Sequence, residues 1–123
     1  MIVYNVEKIT EELKVELTPI FETHRKELQS YDDMKLNVDW AVYQELERVG
    51  NLVTIIARDS ESGEIVGYNA YILSFNLHYM DFKYAVQDVF YVVEDKRGGR
   101  IAVKMVKMSE AVLKDAGVDV ITH

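Results

Sequence analysis

The segment at residues 84–122 constrains the fold most, because two strand patterns there enclose the best helix pattern of the chain. Residues 84–93 end in VFYVV, a run that is apolar on both faces and typical of a strand covered on both sides. Residues 100–116 carry apolar side chains at helical spacing, and a glycine follows as a stop. Residues 118–122 return to a strand pattern. This order predicts a right-handed parallel βαβ unit.

Two helical regions are predicted in the first part of the chain. A periodic apolar stripe over residues 10–28 predicts the first one. Pro19 lacks an N–H group, so we expect this region to break there. Two short helices, with Thr18 as the cap of the second, and one kinked helix both satisfy this expectation. The other helix is predicted for residues 38–49, with Asn37 as its N-cap.

Strand patterns account for most of the remaining residues. Residues 2–4 predict a first strand, and residues 52–57 and 65–75 flank a polar turn and predict a hairpin. With the strand at 84–93, these segments make up a run of antiparallel strands. We therefore predict an α/β (α+β) fold, formed by residues 1–123 as a single domain, with a mixed, mostly antiparallel sheet, flanking helices and one parallel crossover at its C-terminal end.

The composition argues against several classes of function. The chain is 49% hydrophobic and 28% charged, which indicates a folded soluble domain. It has no cysteine and three scattered histidines, so we expect neither a metal site nor a cysteine nucleophile. A net charge of -7 argues against nucleic-acid binding. The sequence contains no membrane-spanning apolar run and no secretory signal, so we expect no membrane partner and a cytoplasmic location.

A basic turn stands out against this acidic background. Five of the fourteen Lys and Arg residues lie close together with no acid among them, namely Lys96, Arg97, Arg100, Lys104 and Lys107. Gly98 and Gly99 let the backbone turn tightly before the helix at 100–116. The start of that helix offers unpaired N–H groups and the positive end of a dipole. The turn is therefore predicted to bind an anion, above all a phosphate.

The turn does not match G-x-x-x-x-G-K-[ST] or G-x-G-x-x-G. The string RGGRIA instead resembles the signature Q/R-x-x-G-x-G/A of the GCN5-related N-acetyltransferases (GNAT), with Arg97 first and Ala102 last. Arg100 stands where the family prefers glycine. The resemblance extends over the whole chain in the order of its elements. The strings FNLHY, QDVFYV and RGGRIAVKMV look especially like phage-encoded members.

The resemblance implies that acetyl-CoA lies against the strand at 84–93. Its pantetheine would hydrogen-bond to the backbone of Val92 and Val93, and the basic turn would hold its pyrophosphate. The residues expected to bind the cofactor are Val92, Val93, Arg97, Gly98, Gly99, Arg100, Ile101, Ala102 and Lys104. Members of the family transfer the acetyl group directly to an amine, which requires orientation, a proton acceptor and polarisation of the thioester carbonyl.

Four residues are candidates for the chemistry of the amine acceptor. Asp88 is the first candidate base, because strand alternation aims it into the substrate cleft and partial burial makes a carboxylate a better proton acceptor. Glu94 is the second candidate. His78 and Tyr79 are placed to bind or deprotonate the amine. The structural alternative for Asp88 is a carboxylate that caps or pairs inside the sheet, and for His78 and Tyr79 it is packing or hydrogen bonding at a strand end.

Members of the family continue past the last strand with a helix, which commonly carries a tyrosine that acts as general acid, and with two further strands. This sequence ends at His123, so no general acid is assigned. A truncated chain, an oligomer whose partner completes the sheet, and a relative without activity stay open as explanations. We expect association into a homo-oligomer through the edge of the strand at 118–122.

The resemblance thus implies an acetyl-CoA-dependent N-acetyltransferase that acts on an amine of a small molecule or of a protein. The alternative from another class is a non-catalytic binding module derived from the same fold, such as a phage protein directed against a host protein. Binding of acetyl-CoA separates the two hypotheses. The sequence leaves the acceptor open, because acceptor pockets are built on variable segments of a shared fold.

Overall fold

The computed structural model describes residues 1–28, 38–75, 78 and 81–123 of the chain. Its elements, in chain order, are β1 (Ile2–Val6), α1 (Glu11–Leu28), α2 (Trp40–Arg48), β2 (Leu52–Asp59), β3 (Ile65–Phe75), β4 (Lys83–Val92), α3 (Ile101–Asp115) and β5 (Val120–Thr122). A single 3-10 turn, Glu94–Lys96, lies between β4 and α3. The predicted strands are confirmed in order, with ends that differ by at most two residues.

The five strands form one sheet in the order β1-β2-β3-β4-β5. The first three pairs are antiparallel, and β4 and β5 pair in parallel. Because α3 connects β4 to β5, this pair is the predicted crossover. The predicted α/β fold with a mixed, mostly antiparallel sheet and flanking helices is therefore confirmed.

Helices cover both faces of the sheet. Leu13 and Leu17 of α1 pack against one face together with Ile56 of β2, and α2 joins them there. Met105 of α3 packs on the other face with Ile55, the neighbour of Ile56 along β2. All five side chains are at most 2% exposed, and burial of each contributes about 1.5–3 kcal/mol. The alternation of β2 thus separates two cores, one under each helix layer.

The helix α3 approaches the sheet closely at Gly67 of β3. A Cβ atom at Gly67 would lie 2.6 Å from the sulfur of Met105 and 3.4 Å from the Cβ of Ala57. Met105 and Ala57 are fully buried, so neither has open space beside it. Glycine at this position therefore lets the helix rest directly on the strand.

The helix α1 passes through Pro19 without a break, so the restart expected at Thr18 is wrong. Thr18 lies inside the helix, and its hydroxyl donates to the Lys14 carbonyl at 2.7 Å. The carbonyl that loses its donor is that of Val15, whose side chain is 74% exposed. Water can replace the missing N–H group on that side. Packing of the opposite side on the sheet keeps the helix continuous.

The helix α2 begins after Asp39, whose Oδ1 accepts a hydrogen bond from the Val42 amide at 3.1 Å. The predicted cap, Asn37, lies outside the described residues. Gly50 follows the helix with a φ of +81°, the left-handed conformation that ends many helices. The cap places Asp39 at the start of a helix that faces β4.

A bulge interrupts β4 at Asp88. In the pairing with β3, Ala70 lies opposite Val89 and Tyr71 lies opposite Gln87, so Asp88 is the extra residue. A bulge breaks the alternation of a strand. As a result, the consecutive residues Asp88 and Val89 line the same cleft on the side of α1 and α2.

The pairing of β4 with β5 covers only the part of β4 that precedes this bulge. Residues 84–86 of β4 pair with residues 120–122 of β5. In the described part of the chain, the edge of β4 at residues 87–92 has no strand partner on that side. An open stretch of strand edge therefore runs from the bulge to the turn that precedes α3.

Candidate functional site

The basic turn joins the end of β4 to α3. Gly98 has a φ of +84°, a conformation that residues with a Cβ atom rarely adopt. Gly99 has no positive φ, and the nearest atom to a Cβ placed there would be the Lys96 carbonyl oxygen at 3.9 Å. Only the first of the two glycines therefore determines the shape of the turn.

The first turn of α3 offers unpaired amides. No side chain caps the helix at Arg100, and its first turn contains no acidic residue. Over the described residues, the amides of residues 98–103 have no hydrogen-bond acceptor, whereas the Lys104 amide donates to the Arg100 carbonyl at 2.9 Å. These N–H groups, at the positive end of the helix dipole, suit an anion.

A hollow of about 160 Å³ lies beside these amides. Its described lining consists of Phe90, Val92, Lys96, Arg97, Gly98, Gly99 and Ala102. Arg100 and Lys104 are exposed and absent from this lining, whereas Ile101 is half-buried against the core. The hollow is where the sequence predicted the pyrophosphate, and most of the predicted binding residues border it.

The Arg97 side chain turns back onto the protein. Its Nε donates to the Val92 carbonyl at 2.7 Å, and its Nη2 donates to Glu27 of α1 at 2.8 Å. The guanidinium also lies 5.2 Å from the centre of the Tyr91 ring. The hydrogen bond between Arg97 and Glu27 raises the pKa of Arg97 and lowers that of Glu27. These two hydrogen bonds engage two of the five N–H donors of the guanidinium within the chain.

The main chain of Val93, one of the predicted contacts to pantetheine, makes hydrogen bonds within the chain. The Val93 N–H donates to the Val66 carbonyl, and the Val93 carbonyl accepts from the Lys96 amide, both at 2.9 Å. The backbone of Val93 is therefore already hydrogen-bonded within the chain, and its contact to pantetheine stays a prediction. The carbonyl of Val92 points to the open edge of β4, where Arg97 reaches it.

A larger cleft, of about 510 Å³, lies between α1, α2, β3 and β4. Its described walls are mostly apolar and consist of Phe21, Val38, Val42, Leu46, Ile72 and Val89, with Tyr43 beside them. Four charged or titratable side chains also line it, namely His24, Arg25, Asp39 and Asp88. Its position against the bulge makes it the candidate acceptor cleft.

Asp88 stands in this cleft because of the bulge. Its Oδ2 accepts a hydrogen bond from the Tyr43 hydroxyl of α2. Burial raises the pKa of Tyr43 well above its usual range, and Asp88 raises it further, so the phenol keeps its proton and donates it. Asp88 itself is exposed, which corrects the expected partial burial. The bulge, rather than simple alternation, brings the carboxylate into the cleft.

His24 is a cleft residue that the sequence predictions omitted. It projects from α1, and its ring centre lies 4.9 Å from that of Tyr91. Burial lowers the pKa of His24, while Glu27 acts in the opposite sense and Arg97 adds to the decrease. The imidazole is therefore neutral at neutral pH. A signal was present in the sequence, because position 24 continues the apolar stripe of α1 and a histidine interrupts it.

Glu94 and His78, two of the other predicted catalytic residues, are absent from the described lining of the cleft. Glu94 is exposed in the 3-10 turn, and its carbonyl accepts from the Arg97 amide at 3.3 Å. His78 is exposed and is absent from the described lining of the cleft and of the hollow. Tyr79 lies outside the described residues. The geometry therefore assembles a smaller set than the sequence predicted.

A network of polar side chains links the sheet to α3. Asn69 Nδ2 donates to Ser109 Oγ at 2.9 Å, and Asn69 Oδ1 accepts from Gln87 Nε2 at 3.0 Å. The Tyr71 hydroxyl lies 2.8 Å from Nδ1 of His123. Asn69, Tyr71 and Ser109 are fully buried, so the network satisfies groups that would be costly in a core. Gln87 directly precedes the bulge, and the network holds the strand there from the α3 side.

Within the described ranges, no group of three or more His, Asp or Glu side chains is placed to hold a metal ion. The three histidines lie far apart along the chain, on α1, before β4 and after β5. No helix in the described part of the chain is long and apolar enough to cross a membrane.

Comparisons with known proteins concern the fold. No protein-family model matches the sequence, and no curated protein does. A ribosomal-protein-alanine N-acetyltransferase from Brucella melitensis biovar Abortus 2308 matches with a TM-score of 0.71 and 16% identity, over 99% of this chain and 78% of that one. An aminoglycoside acetyltransferase from an uncultured soil metagenomic sample matches with a TM-score of 0.74 and 17% identity, over 98% and 77%. A predicted acetyltransferase from Clostridium acetobutylicum, solved with acetyl-CoA, matches with a TM-score of 0.64 and 16% identity, over 98% and 79%.

At identities of 16 and 17%, these similarities are evidence for the fold alone. They cover nearly the whole chain, from β1 to β5. The mixed sheet, its parallel last pair and the helices on both of its faces are therefore a shared architecture. The chain has the GNAT fold, which it shares with solved N-acetyltransferases.

Proposed function

We propose that the protein is an acetyl-CoA-dependent N-acetyltransferase that acts on an amine. One observation carries this proposal, the placement of two cavities along β4. The hollow at the basic turn and the cleft at Asp88 lie at the two ends of the open edge at residues 87–92. The fold shared with solved acetyltransferases supports the proposal.

The residues of the basic turn fit a pyrophosphate. The unpaired amides of residues 98–103 offer donors, and Lys96 adds positive charge in the lining of the hollow. Arg100 and Lys104, exposed at the start of α3, are the further cations proposed to reach the phosphates. The open edge of β4, to which the Val92 carbonyl points, would hold pantetheine. Bound acetyl-CoA would supply the acetyl group as a thioester, whose carbon–sulfur bond breaks as the amine nitrogen bonds to the carbonyl carbon.

The cleft supplies what the amine needs. Amines are protonated near neutral pH, so the nucleophile must first lose a proton. Asp88, held by Tyr43, is the proposed acceptor, and its exposure lets the proton pass to solvent. His24 is a second acceptor in reach of the cleft, neutral because burial lowers its pKa. Main-chain amides at the open edge of β4 are the proposed donors to the oxygen that gains negative charge.

Calorimetric titration with acetyl-CoA tests the cofactor site. We expect binding, with similar affinity for dephospho-CoA, because the pyrophosphate is the group that the turn holds. Arg100→Ala should weaken binding about five- to tenfold, since a charge-assisted contact is lost. Lys114→Ala, at the other end of α3, is the matched control and should change nothing. The absence of both heat and a thermal shift at millimolar cofactor would defeat the proposal.

A thiol-release assay over a set of amines tests turnover. Asp88→Asn should lower kcat by about 100-fold, the usual scale for loss of a general base, with acetyl-CoA affinity unchanged. An undiminished rate in this variant would remove Asp88 as the base. In that case His24→Asn becomes the variant whose rate decides the assignment.

A non-catalytic binding module is the second candidate. It is favoured by the contacts of Arg97 and Val93 within the chain, because both residues were expected to serve the cofactor. Such a module would present the acidic surface of the fold to a protein partner, as a phage protein would to a host protein. A folded protein that fails to bind acetyl-CoA in the titration above would support this candidate.

A further inference from the structure

We propose that the cleft between α1, α2 and β4 binds a primary amine carried on an apolar body, with the ammonium group at Asp88 and the apolar part against Phe21, Val42 and Leu46. As a statement about the acetyl acceptor, this inference rests on the proposed function. As a statement about binding, it concerns the cleft alone. It names a class of ligand that the fold leaves open.

The walls of the cleft are apolar and held in place by stacked rings. Phe21 stacks on Trp40 with ring centres 5.5 Å apart and planes 11° apart, and Trp40 lies 5.9 Å from Tyr43. Val42 is 52% exposed although it lines the cleft. Covering this surface with an apolar group of a ligand removes apolar area from water, which is favourable in free energy. A volume of about 510 Å³ suits a small organic molecule.

The acidic groups of the cleft favour a cation. Tyr43 occupies one oxygen of Asp88, and a carboxylate has room for several donors, so an ammonium group can bind there as well. Asp39 adds a second carboxylate, which caps α2 through Oδ1. The net charge of -7 over the whole chain attracts cations from a distance.

Two further side chains of α1 face the cleft, His24 and Arg25. Burial lowers the pKa of His24, so the ring carries no charge at neutral pH and does not repel an ammonium group. Arg25 has interactions of its own within the chain, and we assign it no ligand. A ligand with both an amine and a carboxylate is nevertheless the sharpest competitor, because its carboxylate would be attracted to Arg25.

The same walls argue against a polyhydroxylated acceptor. One solved neighbour is an aminoglycoside acetyltransferase, and aminoglycosides carry many hydroxyl groups and several charges. Hydroxyl groups placed against Phe21, Val42 and Leu46 would lose hydrogen bonds to water without gaining partners. The described walls therefore favour one charge on an otherwise apolar molecule.

Calorimetry on the whole chain without cofactor tests the inference. The probe is 2-phenylethylamine, and each comparison ligand changes one property: 2-phenylethanol lacks the charge, glucosamine lacks the apolar body, and phenylalanine adds a carboxylate. We expect 2-phenylethylamine to bind at least about tenfold more tightly than each of the three. Equal binding of 2-phenylethanol, tighter binding of phenylalanine or glucosamine, or no binding at millimolar concentration would overturn the inference.

Variants locate the ammonium group. Asp88→Asn should weaken 2-phenylethylamine binding about tenfold or more. Asp39→Asn keeps a capping side chain on α2 and should weaken binding less. Glu61→Gln, in the exposed turn between β2 and β3, is the matched control and should leave affinity unchanged. Circular dichroism checks that each variant is folded, and unchanged affinity in folded Asp88→Asn would contradict the proposed position of the amine.

Thiol-release measurements with acetyl-CoA separate this inference from the proposed function. Preferential acetylation of 2-phenylethylamine over glucosamine supports both. Amine binding with the expected preferences, but without acetyl-CoA binding, supports this inference and overturns the proposed function. Acetylation that favours glucosamine would retain the function and overturn the inference.

Discussion

Around β3 and β4, the two faces of the sheet differ in how tightly they are packed. On the closed face, toward α3, Gly67 lies against Met105, and Asn69 and Ser109 are fully buried with hydrogen-bond partners. On the open face, toward α1 and α2, Val42 keeps 52% of its surface exposed in a cleft of about 510 Å³. One strand thus serves as core on one side and as the wall of a cavity on the other.

This difference indicates that contacts on the closed face fix the position of the side chains that line the cleft on the open face. Gln87 is anchored to Asn69 on the closed face at 3.0 Å. The next residue, Asp88, projects into the cleft on the open face. A functional side chain keeps its position only if the residues around it are fixed. The buried network therefore supports the carboxylate across the strand.

Asn69→Ala should have the largest effect and tests the closed face. The change removes a fully buried side chain and leaves Ser109 and Gln87 without this partner. We expect the free energy of unfolding to fall by about 2–4 kcal/mol in urea titrations. Val42→Ala on the open face should lower it by less than about 0.5 kcal/mol. Equal losses would mean that the two faces are packed alike.

Gly67→Ala should have the next largest effect, because the new Cβ would lie 2.6 Å from the sulfur of Met105. We expect a loss of about 1–3 kcal/mol in unfolding free energy from overpacking. Adding Met105→Val removes the atoms in the way and should recover part of that loss. A double-mutant cycle measures the coupling. Purely additive losses would show that this contact does not set the distance between α3 and the sheet.

Gly98→Ala tests the turn that connects β4 to α3, the helix on the closed face. Its φ of +84° disfavours a Cβ atom, so we expect a loss of roughly 1 kcal/mol. Gly99→Ala is the matched change, in which the new Cβ meets only the Lys96 carbonyl oxygen at 3.9 Å, and it should stay within about 0.5 kcal/mol of the parent. Thermal and urea unfolding measure both. A larger loss at Gly99 would reverse the roles assigned to the two glycines.

The smallest effect should come from pH, on the open face. The folded-state pKa of His24 lies below the ordinary value of 6.5, so the unfolded chain binds this proton more tightly than the folded chain. The contribution of neutral His24 is therefore complete above about pH 6.5 and declines as the pH falls below it. The difference in unfolding free energy between about pH 7.5 and 5.5 should shrink in His24→Asn. If this difference is the same in His24→Asn as in the parent, the loss of stability at low pH comes from carboxylates.

Elements with strong local signals were predictable from the sequence. The run VFYVV and the helical spacing at 100–116 identified β4 and α3, since burial on both faces and a one-sided apolar stripe leave distinct patterns. Pro19 misled the prediction, because a local rule about its missing N–H was outweighed by the packing of α1 on the sheet. Local rules hold where tertiary contacts agree with them.

The candidate site was less predictable, because its contacts join distant parts of the chain. Arg97 meets Glu27 across 70 positions, and Tyr43 meets Asp88 across 45. The bulge at Asp88 arises from the pairing with β3, and no pattern within QDVFYV encodes it. The turn was recognisable because its glycines, its charges and the helix start are adjacent in sequence.

The bulge at Asp88 also determines how β4 tolerates changes in length. A bulged strand holds one residue more than its partner needs. Deleting Asp88 would leave a regular ladder, in which Phe90 and the residues after it keep their faces. Deleting Phe90 instead would turn its neighbours along the strand to the opposite side, so that core and cavity residues exchange places. Position 88 is therefore a point where a protein of this shape can gain or lose a cleft residue without rebuilding its core.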